Sequence, residues 1–204
     1  SSNPDMGLNA IKSMVDLLSA IERDFRPEEQ EVLGRGILEP TDIISTPYPR
    51  ASVVPERCRV TFDRRLLVGE TEIGVLIQDI IDAESKRNPK VQAQVSIAVG
   101  SEKCYTGVTI EAQRYAPAWL FPEDNWFVRT AWDGLISAGL KPEMSHFAFC
   151  TNGSYYAGKA GIPTVGFGGS SESLAHVIDE YIEIDQLYKA CEGYQGIARA
   201  VLKQ

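Results

Sequence analysis

Residues 58–66 read Cys-Arg-Val-Thr-Phe-Asp-Arg-Arg-Leu. Cys58, Val60 and Phe62 alternate with Arg59, Thr61 and Asp63, which predicts a strand with one buried face and one polar face. Upstream, a second extended segment is expected near 42–54. Further upstream, Leu8, Ile11, Met14, Val15, Leu18, Ile21 and Phe25 recur at helical spacing. Asn3 is the predicted cap of that helix, Pro4 its first helical position, and Asp5 suits the positive end of its dipole. Downstream of the strand, Ile73, Leu76, Ile77 and Ile80 mark a second amphipathic helix. Val91, Ala93, Val95, Ile97 and Val99 then alternate as a final strand. The order helix, strand, strand, helix, strand over residues 1–112 is that of a split-βαβ, ferredoxin-like module without its first strand. The chain reads as cut from a longer one.

Residues 113–204 have α/β character. A helix is expected over 124–138, stopped by Gly139 and Pro142. Ser145 to Cys150 and Thr164 to Gly168 read as buried strands, with Thr151-Asn152-Gly153-Ser154 as a strand-to-helix turn. Asp185 is the expected cap of a last helix carrying Leu187, Cys191, Tyr194, Ile197 and Val201. So few strands do not make a self-sufficient, doubly covered sheet. This block also reads as part of something larger.

Composition narrows the function classes. Hydrophobic residues make up 44% of the 204 residues and charged residues 24%, ordinary for a globular chain. A net charge of −8 argues against nucleic acid as a partner, because phosphate backbones call for clustered Lys and Arg. No apolar run approaches the roughly 20 residues of a bilayer span. Ser1 to Asp5 carry neither the basic nor the apolar region of a signal peptide, so no leader is expected. Cys58, Cys104, Cys150 and Cys191 form no CxxC pair, and mostly buried free thiols in a reducing cytoplasm are the expectation.

Several residues have two local readings each. His176 ends a Gly/Ser loop after an apolar run, and is either a metal ligand with its second ring nitrogen oriented by a carboxylate or carbonyl, or an ordinary loop histidine. Arg65 lies in phase with Asp63. Its planar fork suits bidentate capture of a substrate carboxylate; the other reading is a solvated or Asp-paired strand arginine. Thr151, Asn152 and Gly153 stand at a strand's C-terminal end, where α/β sheets place ligands; they either offer N–H groups to an anion or form a plain Asn-Gly turn. Gly168, Gly169 and Ser170 are a flexible connection or a loop lining a substrate pocket. His146 reads as structural, in or near the core. Asp179 and Glu180 cap or orient the loop. Trp126, Trp132 and Tyr155-Tyr156 read as core or interface aromatics.

Three stretches together resemble the dinuclear-zinc aminoacylase and carboxypeptidase family, which includes acetylornithine deacetylase, succinyl-diaminopimelate desuccinylase and glutamate carboxypeptidase. Residues 1–11, Ser-Ser-Asn-Pro-Asp-Met-Gly-Leu-Asn-Ala-Ile, are similar to the start of that family's lid. Residues 63–70, Asp-Arg-Arg-Leu-Leu-Val-Gly-Glu, are similar to its Asp-x-Arg-x-x-Pro-Gly-Glu strand end. Residues 168–180 are similar to its Gly-Pro-Gly-x4-Ala-His-x2-Asp-Glu segment, with His176 in the histidine's place. The form Arg64-Arg65-Leu66-x-x-Gly69-Glu70-Thr71 is similar to a branch of hydrolases linked to selenium metabolism. Val68 stands where the family has proline, Gly169-Ser170 where it has Pro-Gly, and Ser52 where many members carry a substrate-binding asparagine.

The resemblance implies an α/β protein: a ferredoxin-like α+β lid, or dimerisation, domain over 1–112, followed over 113–204 by the C-terminal part of an α/β zinc-hydrolase catalytic domain. It implies hydrolysis of an amide bond in an N-acyl amino acid or small peptide, with two zinc ions (or cobalt or manganese) and a homodimer formed through the lid. It assigns His176 to the metal, and Arg65, Thr151–Gly153 and Gly168–Ser170 to the substrate. The family's His-x-Asp motif, bridging aspartate, general-base glutamate and remaining carboxylate ligand are expected ahead of Ser1. With two histidines in the chain, the fragment alone is expected to be inactive. The alternative is a non-catalytic dimerisation or binding module that keeps the fold without a metal site, and a separate chain carrying the other half is a third arrangement.

Overall fold

The computed structural model describes residues 3, 5, 7–49 and 52–203. Pro4 and the Ser1-Ser2 pair of the lid-start motif lie outside them. The described chain is a mixed α/β protein whose strands pair as small antiparallel sheets, and it divides into two compact units.

The first unit comprises residues 1–30 and 34–115. Helix α1 is Ala10–Asp24, later than expected. Asn9, not Asn3, caps it: its Oδ1 accepts from Ile11 N–H at 3.0 Å and Lys12 N–H at 3.4 Å. The Ala10 N–H donates to the Pro55 carbonyl at 3.1 Å, a tertiary anchor that no local pattern reveals. Leu17, Ala20 and Ile21 are the buried stripe, whereas Leu8, Ile11 and Val15 are exposed.

Four strands follow α1. The short β1 (Glu29–Gln30) and β2 (Gly34–Arg35) pair with each other. The longer β3 (Ile37–Thr46) and β4 (Arg57–Arg65) form an antiparallel hairpin. A bulge between Pro40 and Asp42 takes up the proline that a regular ladder would exclude. The first strand of this pair thus begins before 42 and ends before 54. In β4, Cys58, Val60 and Phe62 are half-buried while Arg59, Thr61 and Asp63 are exposed, as the alternation predicts.

The second helix is interrupted. A 3-10 turn, Gly74–Leu76, stops at Ile77, whose φ of 49° is left-handed, and α2 runs from Gln78 to Arg87. Ile73, expected on its apolar face, is 83% exposed. Glu84 of α2 is a carboxylate buried to 2% exposure, held by Arg87 Nε and Nη2, both at 2.8 Å. Leu17, Ile21, Ile81 and Val91 form the core, with Leu38 and Phe62 of the hairpin packed against it. The predicted strand 91–99 joins a ladder only at its end. There β5 (Val99–Lys103) pairs with β6 (Thr109–Gln113), a hairpin that no sequence expectation included.

The second unit comprises residues 31–33 and 116–204. Helix α3, Trp126–Ser137, is capped by Asn125 and stops before Gly139, which has φ 80°. Helix α4 is Ile184–Leu202, with Glu183 at the cap position and Asp185 inside the first turn rather than capping it. The two helices approach closely: a methyl added at Gly134 would sit 2.7 Å from the Gly196 carbonyl oxygen. Residues 145–150 and 164–168 are not strands, which corrects the sequence expectation. Residues 145–150 are exposed, and Phe147 stacks on Phe149 at 4.9 Å. A strand exists only where a neighbouring strand takes its N–H and C=O groups, and no described strand pairs with these segments. His146 is accordingly exposed and outside the core. The cysteines are free, with Cys58 and Cys104 half-buried but Cys150 and Cys191 exposed, so the expectation of mostly buried thiols fails. No helix among the described residues is long and apolar enough to cross a membrane.

Candidate functional site

In the first unit, the end of β4 and the turn after it form a network around Glu70. One Glu70 carboxylate oxygen pairs with Arg64, and the other accepts from Leu67 N–H at 2.6 Å. Its carbonyl accepts from the Tyr115 hydroxyl at 2.7 Å. Burial, reinforced by the charges of Glu72 and Glu70, pushes the Tyr115 phenol above its ordinary range. Arg64 also lies over the Phe25 ring, 5.1 Å from its centroid. Gly69, at φ 94°, makes the turn that brings Glu70 back. Where the resembling family has proline, Val68 donates its N–H to Gln30 Oε1 at 3.2 Å and accepts from Gln30 Nε2 at 2.9 Å. A proline could make only half of that exchange.

Arg65 points elsewhere. Its Nη2 meets Asp63 Oδ2 at 3.1 Å on the half-exposed side of β4. Residues two apart on a strand share a face, so this pair follows directly from the strand's period. Ser52, in the place of the lid asparagine, is exposed at φ 63°, a region asparagine enters more readily than serine does.

In the second unit, Thr151, Asn152 and Gly153 form one turn leading into a π-helical segment, Ser154–Lys159. The Gly153 N–H donates to Thr151 Oγ1 at 3.1 Å and the Ser154 N–H to the Thr151 carbonyl at 3.1 Å, so both amides are engaged inside the turn. A side chain at Gly153 would collide with the Trp119 indole, its Cβ lying 2.5 Å from a ring carbon. The glycine is therefore required by packing.

Gly168, Gly169 and Ser170 are pinned to α4 rather than free. Tyr194 donates its hydroxyl to the Phe167 carbonyl at 2.5 Å, and the Ser170 N–H donates to Gln186 Oε1 at 2.5 Å. Ser170 has φ 75°, a backbone that the glycine of the resembling family at this position tolerates without strain. Further along the loop, His176 and Asp179 have φ 61° and 59°. His176 is exposed, and its N–H donates to Glu180 Oε2 at 3.0 Å. Three non-glycine residues in left-handed backbone within ten positions make this the most conformationally constrained loop of the unit.

The turn 151–153, the loop 168–170 and His176 all belong to the second unit, while Arg65 belongs to the first. Among the described residues, no three His, Cys, Asp or Glu side chains come together as a metal site. A zinc ion takes about four donors. The donor set of these residues therefore does not fit a zinc centre by itself. Sequence reading missed the Arg64–Glu70 network, although the Arg-x5-Glu spacing with Gly69 between them was its available signal.

The profile of Peptidase family M20/M25/M40 matches residues 9–200. This chain belongs to that family. It is 35% identical over 186 residues to uncharacterized protein YgeY of Escherichia coli strain K12, a match covering 88% of this chain and 44% of the relative. The protein of the same name in Escherichia coli O157:H7 matches to the same extent. The chain thus spans less than half the length of the curated relatives it matches.

Proposed function

We propose that this chain is the lid (1–112) and the C-terminal catalytic segment (113–204) of an amide hydrolase acting on an N-acyl amino acid or small peptide. The observation that carries this reading is the family match over residues 9–200. The hydrolase is metal-dependent, with two zinc ions, or cobalt or manganese, as the expected group. Of the metal ligands this chain supplies one, His176, held in left-handed backbone at the end of a loop anchored to α4. Arg65 is the candidate cation for a substrate carboxylate, and it would exchange Asp63 for that carboxylate on binding. The loops 151–153 and 168–170 of the second unit are the other candidate substrate-binding elements. The chain pairs with a second copy through its lid, where Ile11, Ile43, Ile44 and Tyr48 line an apolar depression of about 440 Å³ beside β3.

Activity is expected only when the rest of the family's fold is present. A YgeY chimera carrying this chain in place of its matched stretch tests the assignment on a panel of N-acyl amino acids and dipeptides, with zinc, cobalt or manganese. His176→Ala is expected to lower turnover at least 100-fold with circular dichroism unchanged. Arg65→Ala is expected to raise KM about tenfold with kcat much less affected, the signature of lost ground-state binding. Full activity in the His176 variant would remove it from the metal site. The second reading is a non-catalytic dimerisation or binding module that keeps the fold without a metal site. A chimera that dimerises yet turns over nothing on the panel would support it.

A further inference from the structure

The chain leaves the first unit after Gln30, returns to it at Gly34, and leaves it again after Tyr115. Both exit residues hold the same turn, 67–70, across 38 and 45 positions of sequence. Gln30 closes a two-way exchange with the Val68 backbone, its Nε2 donating to the carbonyl at 2.9 Å and its Oε1 accepting from the N–H at 3.2 Å. The Tyr115 hydroxyl donates to the Glu70 carbonyl at 2.7 Å. Burial, then the charges of Glu72 and Glu70, raise the Tyr115 pKa and so keep this donor's proton in place. The returning chain is tied to the same place. Arg64 Nη1 donates to the Ile37 carbonyl at 3.1 Å, and a Cβ added at Gly36 would lie 3.0 Å from that nitrogen.

The turn that receives these contacts is itself fastened. The Glu70 carboxylate pairs with Arg64 and accepts from Leu67 N–H at 2.6 Å, while Glu70 N–H donates to the Leu67 carbonyl at 3.2 Å. The Arg64 and Glu70 side chains are 15% and 16% exposed, so water and salt screen this pair far less than a surface pair. Arg65 and Asp63 beside it, at 42% and 48%, are a surface pair.

We propose that the 67–70 turn is the hinge anchor of this chain: it fixes both exits from the first unit, with Glu70 and Arg64 as the positioning residues that hold it closed. Hinges absorb motion at a few bonds next to rigid ends, and the anchor places those bonds just beyond Gln30 and Tyr115. Arg65 leads into the turn with its carbonyl accepting from Arg64 Nη1 at 3.0 Å, so the anchor also holds the candidate substrate cation.

Amide hydrogen exchange of the chain, followed residue by residue by NMR, tests this. Glu70→Ala is expected to speed exchange at least tenfold in 67–70. The same variant should speed it at least threefold at both exits: at Gly36, whose N–H meets the Glu28 carbonyl, and at Arg114, whose N–H meets the Ala98 carbonyl. Gln30→Ala is expected to release Gly36 but not Arg114, and Tyr115→Phe to release Arg114 but not Gly36. Glu70→Gln keeps an acceptor for Leu67 N–H and should fall between the wild type and alanine. Helices α1 and α2 are the control and should exchange as in the wild type. Faster exchange in 67–70 with both exits unchanged would overturn the proposal. If Glu70→Ala loosens α1 and α2 as well, the double variant Gln30→Ala/Tyr115→Phe decides, because it leaves the Arg64–Glu70 pair intact. Release of both exits with α1 and α2 unchanged would then support the anchor, and unchanged exits would overturn it. The readout involves no turnover, so its failure and that of the hydrolase reading are separable.

Discussion

Ser170 shows how a single residue carries a trace of the family in its backbone. The resembling motif has glycine there, and the structure places Ser170 at φ 75°, where a Cβ costs about 1–2 kcal/mol. Its side chain recovers little, because Ser170 Oγ meets the Tyr181 carbonyl only at 3.4 Å. Ser170→Gly is therefore expected to stabilise the chain by about 0.5–1 kcal/mol, after the extra chain entropy of glycine is subtracted. Chemical denaturation would detect this as a higher midpoint with an unchanged slope. A lower midpoint would mean that the serine's contacts outweigh its strain. His176 and Asp179 share this backbone region but belong to residue types less rarely found there, so they remain compatible with selection for chemistry at the loop's end.

Helices α3 and α4 are joined by absent side chains as much as by present ones. Gly134 and Gly196 face each other so closely that each would strike the other's carbonyl if given a methyl. Alanine has the higher helix propensity by about 1 kcal/mol, which would favour Gly134→Ala in an isolated helix. In this pair the overpacking dominates, and the variant is expected to be destabilised by about 1–3 kcal/mol. Thermal denaturation followed at 222 nm would decide between the two effects, because propensity alone raises Tm and steric conflict lowers it. Gly193 adds to the same seam, since a methyl there would meet the Phe167 ring and Leu135. The seam therefore also fixes Phe167, the residue before the 168–170 loop.

At the scale of the whole molecule, apolar surface left open around β3 is the feature that association would bury. Ile43 is 55% exposed and lies beside Ile44, Ile11 and Tyr48. Sedimentation equilibrium is expected to show a concentration-dependent dimer, and Ile43→Arg to shift it to monomer with its Tm little changed. A monomer at all concentrations would remove the lid as the dimer interface. The parts of this molecule that sequence alone determined are those whose physical cause is local. The period of two in β4 announced its buried face, Gly139 marked the end of α3, and the spacing from Gly168 to His176 carried the family. Tertiary structure decided wherever a partner is remote. Asn9 rather than Asn3 caps α1 because Pro55 holds the helix start. Arg64 turns toward Glu70 while Arg65 meets Asp63, a choice made by a turn that Gly69 closes. Residues 145–150 and 164–168 carry strand-like patterns without being strands, because side-chain pattern is local whereas a ladder needs a second chain segment. The donor set has the same dependence: one histidine can be read from a motif, but a metal centre exists only where several distant stretches converge.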